Sequence, residues 1–286
     1  MNTPSTVQSA LAMSRSALCK HSETPNLDGQ LLLGQVLGRP RSWLLAHPEN
    51  VLEERHGTQF MDMLDRCARG EALPHVLGWW EFYGRRFHLD TSVLIPRPET
   101  ELMVDAALEV LRPQSRPLTV VDVGTGSGCV AVTLAREIPG LRVYATDLSL
   151  DALRLAKKNV FTHAVDRTVH LVCTDLVSSI LPPEGFDLVC ANLPYIPQDE
   201  IDRLLVSKRE PRLALDGGKD GLQVVRRLLQ NLPAILSEQG RAILEIGSGQ
   251  ADSVLQDVAE LLPRHRACVR MDYAGHHRLL VIDRWE

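Results

Sequence analysis

Val120-Val121-Asp122-Val123-Gly124-Thr125-Gly126-Ser127-Gly128 carries three valines straight into three alternating glycines, and Cys129-Val130-Ala131-Val132-Thr133-Leu134 continues without a break. A short apolar, β-branched run that stops at glycine reads as a buried strand. Glycine lets the backbone turn sharply and lets a ligand come close. The helix that opens after the turn presents free N–H groups and the positive end of its dipole. Strand, tight turn and helix form the opening unit of a parallel sheet with crossover helices.

Outward from this unit, the pattern predicts strands over 118–123, 142–147, 170–174, 186–191 and 242–246, with two more near 267–271 and 279–282. Helices are expected over 129–137 and 150–161. Regular alternation of this kind gives an α/β fold with helices on both faces of a mostly parallel sheet.

Upstream the character changes. Residues 1–75 read as a small helical domain, with Leu31, Leu32, Leu33, Val36 and Leu37 at helical spacing. Asn26 or Asp28 is the expected cap of its second helix, and Gly38-Arg39-Pro40 the stop. A third helix is expected over 52–69, with Phe60, Met63, Leu64 and Cys67 on one face. Residues 76–98 read as a β-hairpin linker that turns at Gly84, after which Ile95-Pro96-Arg97-Pro98 is extended because each proline restricts its predecessor. Residues 99–286 form the remaining large domain.

Composition narrows the function classes. The chain has 286 residues, 44% apolar and 23% charged, which suffices for a buried core. Its net charge of -5 argues against a protein that grips nucleic acid through many phosphates. Residues 1–75 carry seven Lys or Arg against eight Asp or Glu, so this domain is no basic module either. The six cysteines form no Cys-x-x-Cys pair and do not cluster with histidine at ligand spacing, so no metal is expected. No basic-then-apolar leader and no run of about 18 apolar residues occurs. The expectation is a soluble cytoplasmic protein that neither spans nor enters a membrane.

Two candidate sites emerge. The spacing Gly124-x-Gly126-x-Gly128 differs from the Gly-x-Gly-x-x-Gly of dinucleotide folds, so a pyrophosphate is disfavoured. Asp147 ends the next expected strand, 23 residues past Gly124, where its carboxylate can accept from both hydroxyls of a ribose. Asp175 follows the third strand, in reach of an adenine amino group. The second site is Asn192-Leu193-Pro194-Tyr195, at the carboxyl end of the 186–191 strand, where open α/β sheets bind ligands. Asn192 offers a side-chain carbonyl and Leu193 a backbone carbonyl whose local chain is fixed by Pro194; Tyr195 offers a flat face. Such acceptors suit a planar amide nitrogen, which needs its N–H groups held before its lone pair can be aimed.

Ile95-Pro96-Arg97-Pro98-Glu99-Thr100-Glu101, the glycine loop, Asn192 to Tyr195, Glu210-Pro211, Leu215-Asp216-Gly217-Gly218, Asp220-Gly221-Leu222 and Asp272-Tyr273-Ala274-Gly275 together resemble the class I S-adenosylmethionine-dependent methyltransferases. Among these the chain is most similar to the bacterial release factor glutamine methyltransferases, and the resemblance spans nearly its whole length. The glycine loop marks the class; Ile-Pro-Arg-Pro-Glu-Thr-Glu marks the subfamily. The resemblance implies a Rossmann-like domain with a seven-stranded sheet. It implies S-adenosylmethionine as cofactor, with S-adenosylhomocysteine as product, held by Gly124, Thr125, Gly126, Ser127, Gly128, Asp147, Asp175, Leu176 and Asn192. It also implies a glutamine of a peptide chain release factor held by Asn192, Leu193, Pro194 and Tyr195 with Arg97 and Glu99, with Asn192, Pro194 and Tyr195 carrying the chemistry. Two positions depart from the family pattern. Leu193 stands where proline is usual, a form seen in ribosomal RNA adenine dimethyltransferases, and Leu176 stands where an aromatic residue is common. Methylation of a ribosomal-protein glutamine, adenine N6-methylation of DNA or RNA, and a non-catalytic cofactor-binding scaffold are the competing expectations.

Overall fold

The computed structural model describes residues 3–114 and 116–284, with the side chain of residue 284 left aside. The chain forms two compact units, Met1–Trp79 and Trp80–Glu286.

The first unit holds α1 (Val7–Leu18), α2 (Pro25–Leu37), α3 (Arg41–Ala46), α4 (Glu54–Ala68) and α5 (Leu73–Leu77). Its core gathers Leu18, Leu32, Leu33, Leu44, Phe60 and Leu64, all buried, from four of these helices. Helix α2 is capped by neither Asn26 nor Asp28. Thr24 takes the N-cap position and Pro25 the first turn, because the fixed φ of proline and its missing N–H suit a helix start. Asp28 instead accepts from the Thr24 hydroxyl at 3.0 Å. Gly38 ends α2 in the left-handed conformation, as its place in the sequence predicts.

The second unit begins within a hairpin of β1 (Trp79–Phe82) and β2 (Arg85–His88). Tyr83 and Gly84 both have positive φ, the signature of a tight turn whose twist matches the strands. Arg97 is extended, but Pro98 is the first residue of α6 (Pro98–Leu111), so the expected extended stretch ends one residue early. Then follow β3 (Thr119–Val123), α7 (Cys129–Glu137), β4 (Arg142–Asp147), α8 (Leu150–Thr162), β5 (Val169–Cys173), β6 (Phe186–Ala191) and α9 (Gln198–Ile201). The unit closes with α10 (Gln223–Ile235), β7 (Leu236–Glu245), α11 (Ala251–Leu261), β8 (His265–Met271) and β9 (His277–Arg284).

The seven strands of the main sheet lie in the order β5-β4-β3-β6-β7-β9-β8. Pairings from β5 through β7 are parallel; β9 runs antiparallel to both β7 and β8. Alternate residues serve opposite faces. Val120, Leu188, Cys190 and Ile243 join α6, α7 and α8 in one core. Val121, Val123, Val189, Ala191 and Leu244 join α10 and α11 in the other. Burial on both faces explains the near-continuous apolar strands. Strand β7 starts six residues earlier than its sequence predicts. Polar Ser237-Glu238-Gln239-Gly240 masks that beginning, and the register with β6 shifts there in a bulge.

Strand order reverses between β3 and β6: the chain moves from β3 outward through β4 and β5, then returns to β6 on the other side of β3. Their carboxyl ends are level, since Val123 pairs with Ala191. The glycine loop and Asn192 are therefore side by side at the switch point, where helices diverge and leave a crevice.

Candidate active site

A cavity of about 250 Å³ opens at this point. Its wall includes Gly124, Thr125, Gly126, Ser127, Asp147, Asp175, Leu176, Asn192, Leu193 and Pro194 from the two sequence-predicted sites. Gly128, Arg97, Glu99 and Tyr195 are not part of that wall.

The glycine loop is held from below and from the side. Gly124, Gly126 and Gly128 all have positive φ, a region that side chains with a Cβ disfavour. Thr125 donates its hydroxyl to buried Asp122 at 2.6 Å, and the Ala131 N–H donates to the same carboxylate oxygen at 3.2 Å. Burial pushes the Asp122 carboxyl up to about 6. Asn159 of α8 donates to the carbonyls of Ser127 and His88 and accepts the His88 N–H, so one buried amide joins loop and hairpin. Gly128 has a packing role: a Cβ there meets that of Ala156 at 3.3 Å.

Asp147 ends β4 and faces the cavity. Its Oδ2 accepts from the Gly126 N–H at 2.9 Å and its Oδ1 from the Ser149 N–H at 2.8 Å. Burial raises its carboxyl above the usual range, against these two backbone bonds. Each oxygen keeps a second lone pair for a ligand hydroxyl. Asp175 also lines the cavity, with Oδ2 engaged by Arg227 at 2.5 Å. Leu176 beside it is held at φ 53, a strained conformation for a leucine, and supplies an aliphatic wall.

Across the cavity, Leu193 packs its side chain against the open side of Gly124, where a Cβ meets Leu193 Cδ2 at 3.2 Å. Asn192 donates from Nδ2 to Thr100 Oγ1 at 3.1 Å, and Thr100 donates to Glu245 Oε2 at 2.7 Å. The Tyr195 hydroxyl donates to Glu245 Oε1 at 3.4 Å. Burial is the main cause that raises both this phenol and the Glu245 carboxyl above their ordinary values.

The remaining motif residues brace this arrangement. Glu210 is buried; it accepts the Ile95 N–H at 3.0 Å and pairs with Arg97 at 2.5 Å, which fixes the chain on both sides of Pro96. Ile196 exchanges backbone bonds with Leu215 and Gly217, and Gln250 donates to the Tyr195 carbonyl at 2.9 Å. Gly221 lies so close to that carbonyl that a Cβ would sit 2.3 Å from it. Asp272 accepts from the N–H groups of Ala274 and His276, which makes the late motif a capped hairpin turn with His276 exposed. Thr100, Asp122, Asn159, Glu210 and Glu245 are the site residues whose roles the sequence reading missed. Among the described residues no group of three or more His, Cys, Asp or Glu is placed to hold a metal ion. Nor, among them, is any helix long and apolar enough to cross a membrane.

A sheet of this order, with a glycine loop and a strand-end acid facing an Asn-Leu-Pro-Tyr turn across the switch point, defines a Rossmann-like methyltransferase domain. Comparison with known proteins narrows the class. Residues 9–78 match the family described as PrmC N-terminal domain, and residues 100–239 the methyltransferase small domain. The chain is 38% identical over 267 residues to the release factor glutamine methyltransferase of Rhodopirellula baltica, covering 91% of this chain and 90% of that one. It is 40% identical over 268 residues to that of Moorella thermoacetica, covering 92% and 93%. Among solved structures, a ribosomal protein L11 methylase from Lactobacillus delbrueckii subsp. bulgaricus aligns with TM-score 0.51 at 25% identity, over 69% of this chain and 84% of that one. The chain belongs to the release factor glutamine methyltransferase family.

Proposed function

We propose that this chain transfers a methyl group from S-adenosylmethionine to the side-chain N5 nitrogen of a glutamine in a peptide chain release factor, in the cytoplasm. The observation that carries the reading is the placement of Asn192 across one cavity from Asp147 and the glycine loop.

The residues present fit the cofactor. Asp147 keeps lone pairs for a ribose diol, Gly124 and Gly126 offer bare backbone, and Leu176 gives an apolar wall for a flat base. S-adenosylmethionine supplies a methyl group activated by its sulfonium. The chain supplies orientation. Asn192 Oδ1 and the Leu193 carbonyl accept the two N–H groups of the glutamine amide, which aligns the nitrogen lone pair toward the cavity. Proline is not required at 193, because the acceptor there belongs to the backbone. The nitrogen sheds a proton after it is alkylated, so acceptors serve better than a strong base. Pro194 fixes the turn. Tyr195 acts from the side of the cavity, held by Glu245 and Gln250, while Arg97 at the end of the strap and Glu99 in the first turn of α6 lie beside the substrate's path.

The test is methyl transfer from labelled S-adenosylmethionine to a purified release factor, with the glutamine replaced by alanine as control. Label on the release factor that vanishes in the control is the expected result. Label on a ribosomal protein, on naked DNA or on ribosomal RNA, with none on the release factor, overturns it.

A further inference from the structure

Amide side chains have a front and a back. Asn192 helps only if its oxygen, and not its NH2, faces the cavity. Two buried side chains stand behind this amide. Thr100 sits in the first turn of α6, Asn192 at the end of β6 and Glu245 at the end of β7. Thr100 and Glu245 are buried, Glu245 with 1% of its surface exposed.

We infer that Glu245 and Thr100 are positioning residues that fix the orientation of the Asn192 amide. The proposal rests on the reading of Asn192 given above and explains how that residue is held ready.

With Glu245 ionised, hydrogen counting sets the direction of every bond in this relay. A hydroxyl has one hydrogen to give and two lone pairs to receive with. Glu245 Oε2, 2.7 Å from Thr100 Oγ1, takes the hydrogen. Toward Asn192, at 3.1 Å, Thr100 then has only a lone pair. The facing atom must be a donor, so Nδ2 points at Thr100 and Oδ1 is turned the other way. A reversed amide places two oxygens at that distance with no hydrogen between them, leaving the lone pair of buried Thr100 without a donor. The second Glu245 oxygen faces the Tyr195 hydroxyl at 3.4 Å, so one carboxylate addresses both ends of the Asn-Leu-Pro-Tyr turn. A carboxylate placed this deep is costly without partners, and these hydroxyls are its partners.

Two readouts test the proposal. The first needs no substrate: side-chain NH2 resonances of the full chain labelled with 15N-asparagine, with Asn192 assigned by its loss in Asn192→Ala. Thr100→Val keeps the shape of the side chain and removes the hydroxyl; it should shift the Asn192 NH2 pair and speed its exchange with water. Thr100→Ser restores the hydroxyl and should restore the wild-type signals. Glu245→Gln, which can donate to Thr100 and so reverse the chain of bonds, should shift them too. The second readout is turnover on a release factor. Thr100→Val should lower kcat roughly tenfold, while KM for the protein and affinity for S-adenosylmethionine stay within about threefold. Thr100→Ser should recover most of the loss. A purely structural threonine predicts unchanged Asn192 signals in the near-isosteric valine variant. Unchanged signals in both Thr100→Val and Glu245→Gln overturn the inference. A wild-type chain that leaves release factors unmodified overturns the functional reading instead, and the resonances still decide the orientation.

Discussion

The Asp147 carboxylate holds the glycine loop in place, accepting the Gly126 N–H at 2.9 Å while it faces the cavity. Asp147→Ala removes this brace together with the acceptors available to a ribose. Affinity for S-adenosylmethionine should fall by about 1.5–3 kcal/mol, the range for hydrogen bonds to a charged group. Titration calorimetry reads it directly, and equal affinity in wild type and variant contradicts the assignment.

Gly128 tests the packing side of the loop. Its φ of 80 and the 3.3 Å approach of Ala156 both oppose a side chain. Gly128→Ala should cost about 1–2 kcal/mol from the left-handed backbone alone. The urea midpoint should drop accordingly. A midpoint equal to wild type means that the turn relaxes at no cost.

Asp122 makes a pH prediction. Burial lifts its carboxyl from 3.8 to about 6, so the stability this group contributes is complete below pH 3.8 and is lost as pH rises through 6. Between those limits the wild type should lose on the order of 3 kcal/mol that Asp122→Asn does not. The asparagine keeps an oxygen for the Thr125 hydroxyl and the Ala131 N–H. Urea unfolding of both proteins from pH 4 to 7 should therefore show the variant gaining on the wild type as pH rises. A constant difference shows that Asp122 does not titrate in this window.

Glu210 pins the Ile-Pro-Arg-Pro strap through the Ile95 N–H and the Arg97 guanidinium. Glu210→Ala leaves a buried N–H and a cation without their acceptor, at about 1–3 kcal/mol. Hydrogen exchange should quicken at Ile95 and in the first turn of α6. Exchange at the wild-type rate there shows that the strap is held by something else.

Much of the fold is legible along the chain because it is written in local patterns. Strands β4 and β6 and helix α7 begin and end where apolar period and glycine place them, and β3 and β5 shift by a single residue. The site is legible where one motif carries its own geometry, as at Gly124 to Ser127 and at Asn192. The partners are not. Thr100 and Glu245 are 145 residues apart, and Ile95 and Glu210 are 115 apart, so no spacing announces either contact. The start of β7 is hidden for a different reason: a bulge tolerates the polar run at 237–240 that ordinarily marks a loop. Tyr195 has partners that its residue type does not announce. Its flat ring is read from residue type, while the Glu245 carboxylate near its hydroxyl and the Gln250 amide on its backbone carbonyl come from 50 and 55 residues away.

The central claim is that Asn192 orients the amide that receives the methyl group. It is tested most directly by single-turnover methylation of a release factor by Asn192→Ala at saturating S-adenosylmethionine. Loss of one preorganised acceptor worth about 2–4 kcal/mol predicts a rate roughly 30- to 1,000-fold below wild type. A rate within about threefold of wild type contradicts the claim, because an acceptor felt only in the reacting state cannot be removed without slowing the chemical step.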